Sequence, residues 1–170
     1  MIGGNMSYKV TITEGKSQIV EPENLDQALK DGCEKVLCFE SNILVCGRHG
    51  SGKTSVLKYF EDILPERMGL AKEDILFLQA YDVIESVISA IQNNSGDALR
   101  AKWDSAKAII VDDIDRLSGK ETTQSEFLRL LEKHQMVILS ITGSITDIDL
   151  IPAIKTKLEG YTSMAIEETL

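Results

Sequence analysis

Apolar residues along the chain fall into short unbroken runs separated by stretches of helical spacing. Asn42-Ile43-Leu44-Val45-Cys46, Ile75-Leu76-Phe77-Leu78, Ala108-Ile109-Ile110-Val111 and Met136 to Ile141 are such runs. Runs of this length and continuity suit strands buried on both faces. Between them, Val56, Leu57 and Phe60, then Val83, Ile84, Val87, Ile88 and Ile91, then Phe127, Leu130 and Leu131 recur at spacings of three and four. Each set predicts a helix, the last over Thr123 to Lys133. Pro22 to Phe39 also reads as a helix, with Leu25, Ala28 and Leu29 on one face, continued by Val36 and Leu37. A shorter helix spans Asp97 to Trp103, where Trp103 and Leu99 form a packing pair, and another is predicted over Asp149 to Leu158 with Pro152 in its first turn. Tyr8 to Thr13 alternates apolar and polar residues as a short strand does, and Ala165-Ile166 marks a weak fifth strand of the core. Pro65 and Gly69, and Asn93-Asn94-Ser95-Gly96, punctuate the pattern. Strands alternating with helices predict a parallel α/β sheet covered on both faces. The 170 residues suffice for one domain, with the core over 42–166 and an N-terminal extension over 1–20.

Composition adds exclusions. With a formal net charge of −9, the chain lacks the basic footprint of an autonomous DNA-binding domain. Cys33, Cys38 and Cys46 are odd in number and lack metal-ligand spacing. Free thiols without a leader-like segment favour a cytoplasmic setting, and no apolar run approaches membrane-spanning length.

The strongest chemistry lies directly after the first core strand. Residues 47–54 read Gly47-Arg48-His49-Gly50-Ser51-Gly52-Lys53-Thr54, a full Gly-x-x-x-x-Gly-Lys-Thr between an apolar strand and a helical pattern. Gly47, Gly50 and Gly52 allow backbone conformations closed to other residues, so that successive N–H groups, Ser51 included, can turn toward phosphate oxygens. The start of the following helix adds open N–H groups and the positive end of its dipole. In this motif Lys53 reaches the β/γ-phosphates and the Thr54 hydroxyl takes one position on Mg²⁺. The expected ligands are ATP or ADP with Mg²⁺. His49 points to solvent and carries no assigned chemistry.

A second element is Ala108-Ile109-Ile110-Val111-Asp112-Asp113-Ile114-Asp115, an apolar strand ending in carboxylates. Carboxyl ends of strands line the ligand crevice of such sheets. Asp112, the first acid, is the candidate for Mg²⁺ beside Thr54, and Asp113 for polarising an attacking water. Ser140-Ile141-Thr142-Gly143-Ser144 ends the next strand, where Thr142, with Ser140 as the alternative, could sense a γ-phosphate or orient water.

Several strings then carry a family resemblance: Ala90-Ile91-Gln92-Asn93-Asn94, Ile109-Ile110-Val111-Asp112-Asp113-Ile114, Gly119-Lys120-Glu121 and Thr123-Gln124-Ser125-Glu126-Phe127. Over roughly residues 24 to 167 the chain resembles the AAA+ ATPase domain of the bacterial replication initiator family of DnaA and Hda, with helicase loaders of the DnaC kind as cousins. The resemblance implies a P-loop NTPase fold of three layers with a five-stranded parallel sheet in the order 5-1-4-3-2. It also implies a protein partner, a replication initiator or related AAA+ subunit. Departures bear on activity. Where the family places an arginine that reaches a neighbouring subunit's nucleotide, this chain has Lys157 in Ala153-Ile154-Lys155-Thr156-Lys157-Leu158. Ser89 stands in a helix where initiators carry basic residues facing single-stranded DNA. The chain stops at Leu170, short of the helical lid and helix-turn-helix the resemblance would add. These features favour a nucleotide-binding regulatory or adaptor protein with weak or no ATPase activity, not itself binding DNA. An active ATPase that remodels nucleic acid, as an initiator or helicase loader does, is the alternative. A small-molecule phosphotransferase is disfavoured, because the five arginines form no lid-like cluster.

Overall fold

The computed structural model describes residues 7–13, 17–20, 30, 33–34, 37, 41–134 and 136–169. Seven strands among them form one sheet: β1 (Ser7–Thr13), β2 (Ser17–Val20), β3 (Ile43–Gly47), β4 (Ile75–Gln79), β5 (Ala108–Asp112), β6 (Met136–Thr142) and β7 (Thr162–Thr169). Their spatial order is β2-β1-β7-β3-β6-β5-β4. The segment from β7 to β4 is parallel throughout and has the order 5-1-4-3-2 expected of the core strands. The hairpin of β1 and β2 extends it, β1 running antiparallel to β7. β1 matches the alternation seen in Tyr8 to Thr13. β2 was not anticipated: Ser17-Gln18-Ile19-Val20 is too short to show alternation. β7 runs well past Ala165-Ile166 because pairing with β1, from Thr13↔Ser163 to Ser7↔Thr169, holds Glu167, Glu168 and Thr169 extended. Polar residues there leave no hydrophobic signal.

Five helices described end to end lie on the sheet: α1 (Lys53–Met68), α2 (Ala80–Gln92), α3 (Gly96–Asp104), α4 (Glu121–Lys133) and α5 (Pro152–Glu159). Alternate residues of each central strand face opposite layers. Ile43, Val45, Ala108, Ile110, Ile138 and Met164 pack with Val56, Leu57, Phe60 and Leu64 of α1. Leu44, Ile109, Val111, Val137, Leu139 and Ile141 pack with α2, with Trp103 of α3, and with α4 and α5. Leu99 packs at the edge of that cluster, as its pairing with Trp103 implied.

The helix read over Pro22 to Phe39 falls mostly outside the described residues. Lys30, Cys33, Glu34 and Leu37 are helical, and Cys33 and Leu37 pack on the α1 side. α1 continues past Pro65, whose missing N–H removes one bond in the last turn, and ends where Gly69 takes φ 64° and donates to Pro65 O. Pro152 occupies the first turn of α5 as its fixed φ favours. The periodic run of α2 departs from a single inward face: Val83 and Val87 are buried, whereas Ile88 and Ile91 are 48% and 63% exposed.

One buried side chain ties the segments that follow β5 and β6. Gln124, at the second position of the Thr-Gln-x-Glu-Phe string, donates from Nε2 to Leu117 O at 2.6 Å and Asp149 O at 2.8 Å. Its Oε1 accepts from Ile151 N at 2.8 Å. Leu117 ends the 3₁₀ turn Ile114–Leu117, and Ile151 immediately precedes α5.

Candidate nucleotide site

β3 ends at Gly47, and α1 begins at Lys53 with Gly52 as its N-cap at φ 97°. Gly50, at φ 79°, also sits in the left-handed region, where a side chain is strained. Gly47 is needed for space: a Cβ there would lie 2.4 Å from Ser51 Oγ and 3.0 Å from Ile166 O. Ser51 N donates to Arg48 O at 3.1 Å, closing the loop. The N-terminus of α1 has no side-chain cap and no acid in its first turn, so its first N–H groups remain available to an anion.

Lys53 is only 5% exposed, and its Nζ donates to Arg48 O at 2.6 Å. Ser51 is as deeply buried, and its Oγ has no hydrogen-bond partner among the described residues. Cys46, beside the loop, is half-buried; burial is the main cause that pushes its thiol up to about 11, against the opposing effects of a Ser163 hydrogen bond and Lys53. It is an unreactive packing residue at neutral pH.

The acidic strand end meets this loop. Parallel register sets Gln79 beside Asp112 and Val111 beside Leu139, which puts Ser140 next to Asp112 in the row. Thr54 Oγ1 donates to Asp112 Oδ2 at 2.7 Å, and Gln79 Nε2 donates to the same oxygen at 3.5 Å. Ser140 Oγ donates to Asp112 Oδ1 and accepts from Asp113 N at 2.8 Å. Asp112 is thus 1% exposed with both oxygens engaged.

The Asp113 side chain sits apart from that network, its backbone at φ 58° in the left-handed conformation that starts the 3₁₀ turn. Desolvation, then the charges of Asp112 and Asp115, holds its carboxyl above the usual aspartate range, with Lys53 and Arg116 partly offsetting this. Thr142 enters through its backbone, its N–H donating to Asp115 Oδ1 at 3.1 Å. Ser140, the alternative to Thr142, is therefore the β6 residue that touches Asp112. His49 is exposed, and Lys155 and Lys157 are half-buried on α5.

Gln79 and Asp115 belong to this cluster and were not singled out from the sequence. The signal for Gln79 was present: it is the first polar residue after an apolar strand, the same criterion that selects Asp112. Asp115 is the third acid of its run, and nothing local separates it from its neighbours. Among the described residues, no three His, Cys, Asp or Glu side chains are grouped to hold a metal.

Glycine loop, strand-end acid and sheet order define an α/β P-loop fold of the AAA+ type. The family model described as "Bacterial DnaA ATPAse domain" matches residues 36–157, well over half of the chain, and the chain belongs to that family. Among solved structures it is similar to AMPPCP-bound DnaA from Aquifex aeolicus, at 21% identity and a TM-score of 0.70, over 85% of this chain and 46% of that one. Domain III of the Thermotoga maritima replication initiation protein DnaA matches at 12% identity and a TM-score of 0.72, over 82% of this chain and 61% of that one. The DnaC helicase loader matches at 12% identity and a TM-score of 0.64, over 83% of this chain and 87% of that one. The chain spans less than half the length of the Aquifex DnaA it matches. No helix among the described residues is long and apolar enough to cross a membrane.

Proposed function

We propose that this chain binds ATP or ADP with Mg²⁺ through residues 47–54 and acts in replication initiation as a regulatory or adaptor AAA+ domain with weak or no ATPase activity. The observation that carries the reading is the 2.7 Å contact of Thr54 Oγ1 with Asp112 Oδ2, beside the buried Lys53. It brings together, from the glycine loop and a different strand, the two oxygen donors that hold Mg²⁺ in P-loop sites. The fit to a nucleotide rests on the same geometry. Gly47, Gly50 and Gly52 keep a cradle open that a Cβ would fill or strain, and the buried Ser51 Oγ is left wanting a partner. Phosphate oxygens would replace Arg48 O as acceptor for Lys53 Nζ. Thr54 and Asp112 would hold the Mg²⁺, which supplies charge neutralisation at the phosphates.

Asp113 is the candidate to polarise water and Thr142 the candidate to sense the γ-phosphate, with Ser140 holding Asp112 in place. The binding of AMPPCP in the Aquifex DnaA structure supports an adenine nucleotide. The net charge of −9 supports action through a protein partner, a replication initiator or related AAA+ subunit, over direct contact with DNA. Lys157 supports weak hydrolysis, since an ammonium lacks the planar fork of the arginine expected there.

Calorimetric titration of ATP and ADP, with and without Mg²⁺, tests the reading. The unaltered chain should bind and Lys53→Ala should lose most of that affinity while remaining folded. Equal affinity in the two proteins would sink the assignment.

A further inference from the structure

Of the large apolar side chains exposed among the described residues, Met68, Tyr81, Ile88 and Ile91, three lie on α2. At about 100° per residue, Ile91, Ile84, Ile88 and Tyr81 fall within an arc of about 80°. That arc adjoins the stripe of Ala80, Val83, Val87 and Ala90 buried against the sheet. Ile84 is half-buried, and the others are 48% to 63% exposed. The apolar surface of α2 therefore extends well beyond what its own fold covers, the pattern of a helix face with a second partner. The ridge runs into a groove of about 320 Å³, lined by Val87, Ala90, Ile91 and Leu99, with Arg100 and Glu126 at its rim. A groove of that size admits one or two large apolar side chains.

The charges beside the ridge select the occupant. α2 contains Asp82 and Glu85 but no Lys or Arg, and neither acid is in a salt bridge among the described residues. Glu85 only accepts a hydrogen bond from Tyr81 Oη at 2.5 Å. Arg100, at the rim, is already paired with Glu126. Glu85, at the border of the ridge, repels a phosphate backbone, and a second copy with charge −9 is disfavoured for the same reason.

We propose that the Tyr81–Ile84–Ile88–Ile91 ridge and its adjoining groove dock an amphipathic helix of a protein partner, one with apolar anchors flanked by Lys or Arg. Apolar anchors at spacings of three, four and seven would lie along the ridge, one entering the groove beside Leu99. The basic flank on the Tyr81 side would meet Glu85, which lies about 40° from Tyr81 around the helix, setting orientation and discriminating against acidic helices.

The test uses the full chain and a synthetic helical peptide of about 18 residues with leucines at those spacings and lysines on the flanks. A twin peptide carries glutamates in place of the lysines, and an oligothymidylate of about 20 nucleotides stands for nucleic acid. The Leu/Lys peptide should bind saturably, with amide chemical-shift changes concentrated in α2 and α3. Ile88→Ser and Ile91→Ser should each weaken it about tenfold. Glu85→Lys should weaken the Leu/Lys peptide and strengthen its acidic twin. Both isoleucines are exposed, so these variants should unfold at unchanged temperature, and Ile91→Ala repeats the test without lowering helix propensity. Equal binding of the two peptides, absence of saturation, displacement by the oligothymidylate, or self-association abolished by Ile91→Ser would each overturn the proposal.

Discussion

Gln124 offers a sharp test of how the acidic turn and the segment before α5 are held together. Its side chain is 1% exposed and makes three hydrogen bonds, all to backbone groups outside its own helix. The three are not equally replaceable. Leu117 O also accepts from Lys120 N at 3.0 Å, and Asp149 O from Gly119 N at 2.9 Å, so each carbonyl keeps a donor if Gln124 is lost. Among the described residues, Ile151 N has only Gln124 Oε1. In Gln124→Met, which keeps most of the volume, that one orphaned N–H costs about 1–3 kcal/mol, and each weakened carbonyl about 0.5 kcal/mol. Removing a buried amide from the core recovers part of this, leaving a net loss of about 2–3 kcal/mol. Gln124→Ala should lose about 1 kcal/mol more through the cavity it leaves.

Urea unfolding followed by circular dichroism measures both. With an m-value of about 2 kcal/mol/M, the Gln124→Met midpoint should fall by about 1–1.5 M. Gln124→Glu separates the donor and acceptor roles. It can still accept from Ile151 N, but ionised it faces two carbonyl oxygens with no proton to give. Its folded-state pKa is therefore raised, so the variant is least impaired at acid pH and loses stability as pH rises. A Gln124→Met loss under about 1 kcal/mol, or a Gln124→Glu loss that does not vary with pH, would refute this account.

At the site itself, Asp112→Asn should reduce the Mg²⁺ dependence of ATP binding more than Asp113→Asn, as calorimetry with and without the metal would show; the opposite ranking exchanges their roles. Gly47→Ala should abolish nucleotide binding and lower the thermal midpoint in a scanning fluorimetry trace, because the new Cβ meets Ser51 Oγ and the β7 backbone at Ile166. Without nucleotide, the raised Asp113 carboxyl favours the native state most below the ordinary aspartate value of 3.8 and contributes progressively less as pH rises through its shifted value. Asp113→Asn should remove that component, so parallel pH–stability curves for the two proteins would contradict it. Phosphate release per molecule should stay slow and independent of protein concentration; activity that climbs with concentration and is lost in Lys157→Ala would favour an active ATPase.

The sequence carried the sheet order only through resemblance, but the elements themselves through periodicity. Four apolar runs and the helical spacings between them are local signals, and the structure has strands and helices at those places. The hairpin strand β2 and the far half of β7 were not legible, because pairing with β1 from either side holds them and their residues show no run or alternation. The glycine loop was readable because its demands at Gly47 and Gly52 fall on specified positions of the motif, and the left-handed turn at Gly50 falls on a further glycine. Which β6 residue touches Asp112 was not. That depends on the parallel register Val111↔Leu139, a relation between strands that no local spacing encodes. The outward side of α2 was hidden for the opposite reason: isoleucine reports the same periodicity whether it faces a core or a surface left for another molecule.

The two neighbouring acids show how much backbone geometry decides. Asp112 is the last residue of β5, so its side chain is fixed by the pleat and lies in one row with Gln79 and Ser140, facing Thr54. Three separate elements thus hold one carboxylate, and its position is set as much by β6 and α1 as by its own strand. One residue later the chain turns left-handed, and Asp113 loses that row. Its N–H stays tied to Ser140 Oγ, while its carboxylate gains no partner from the strands and is held electrostatically against Asp112 and Asp115. A group anchored from three sides suits a metal, which rewards fixed oxygen geometry. A carboxylate with a raised pKa suits a water, because it takes up a proton more readily. Ser140 joins the two, since its hydroxyl donates to one acid and accepts from the backbone of the other. Displacing β6 would therefore disturb both proposed roles together, although neither acid belongs to that strand.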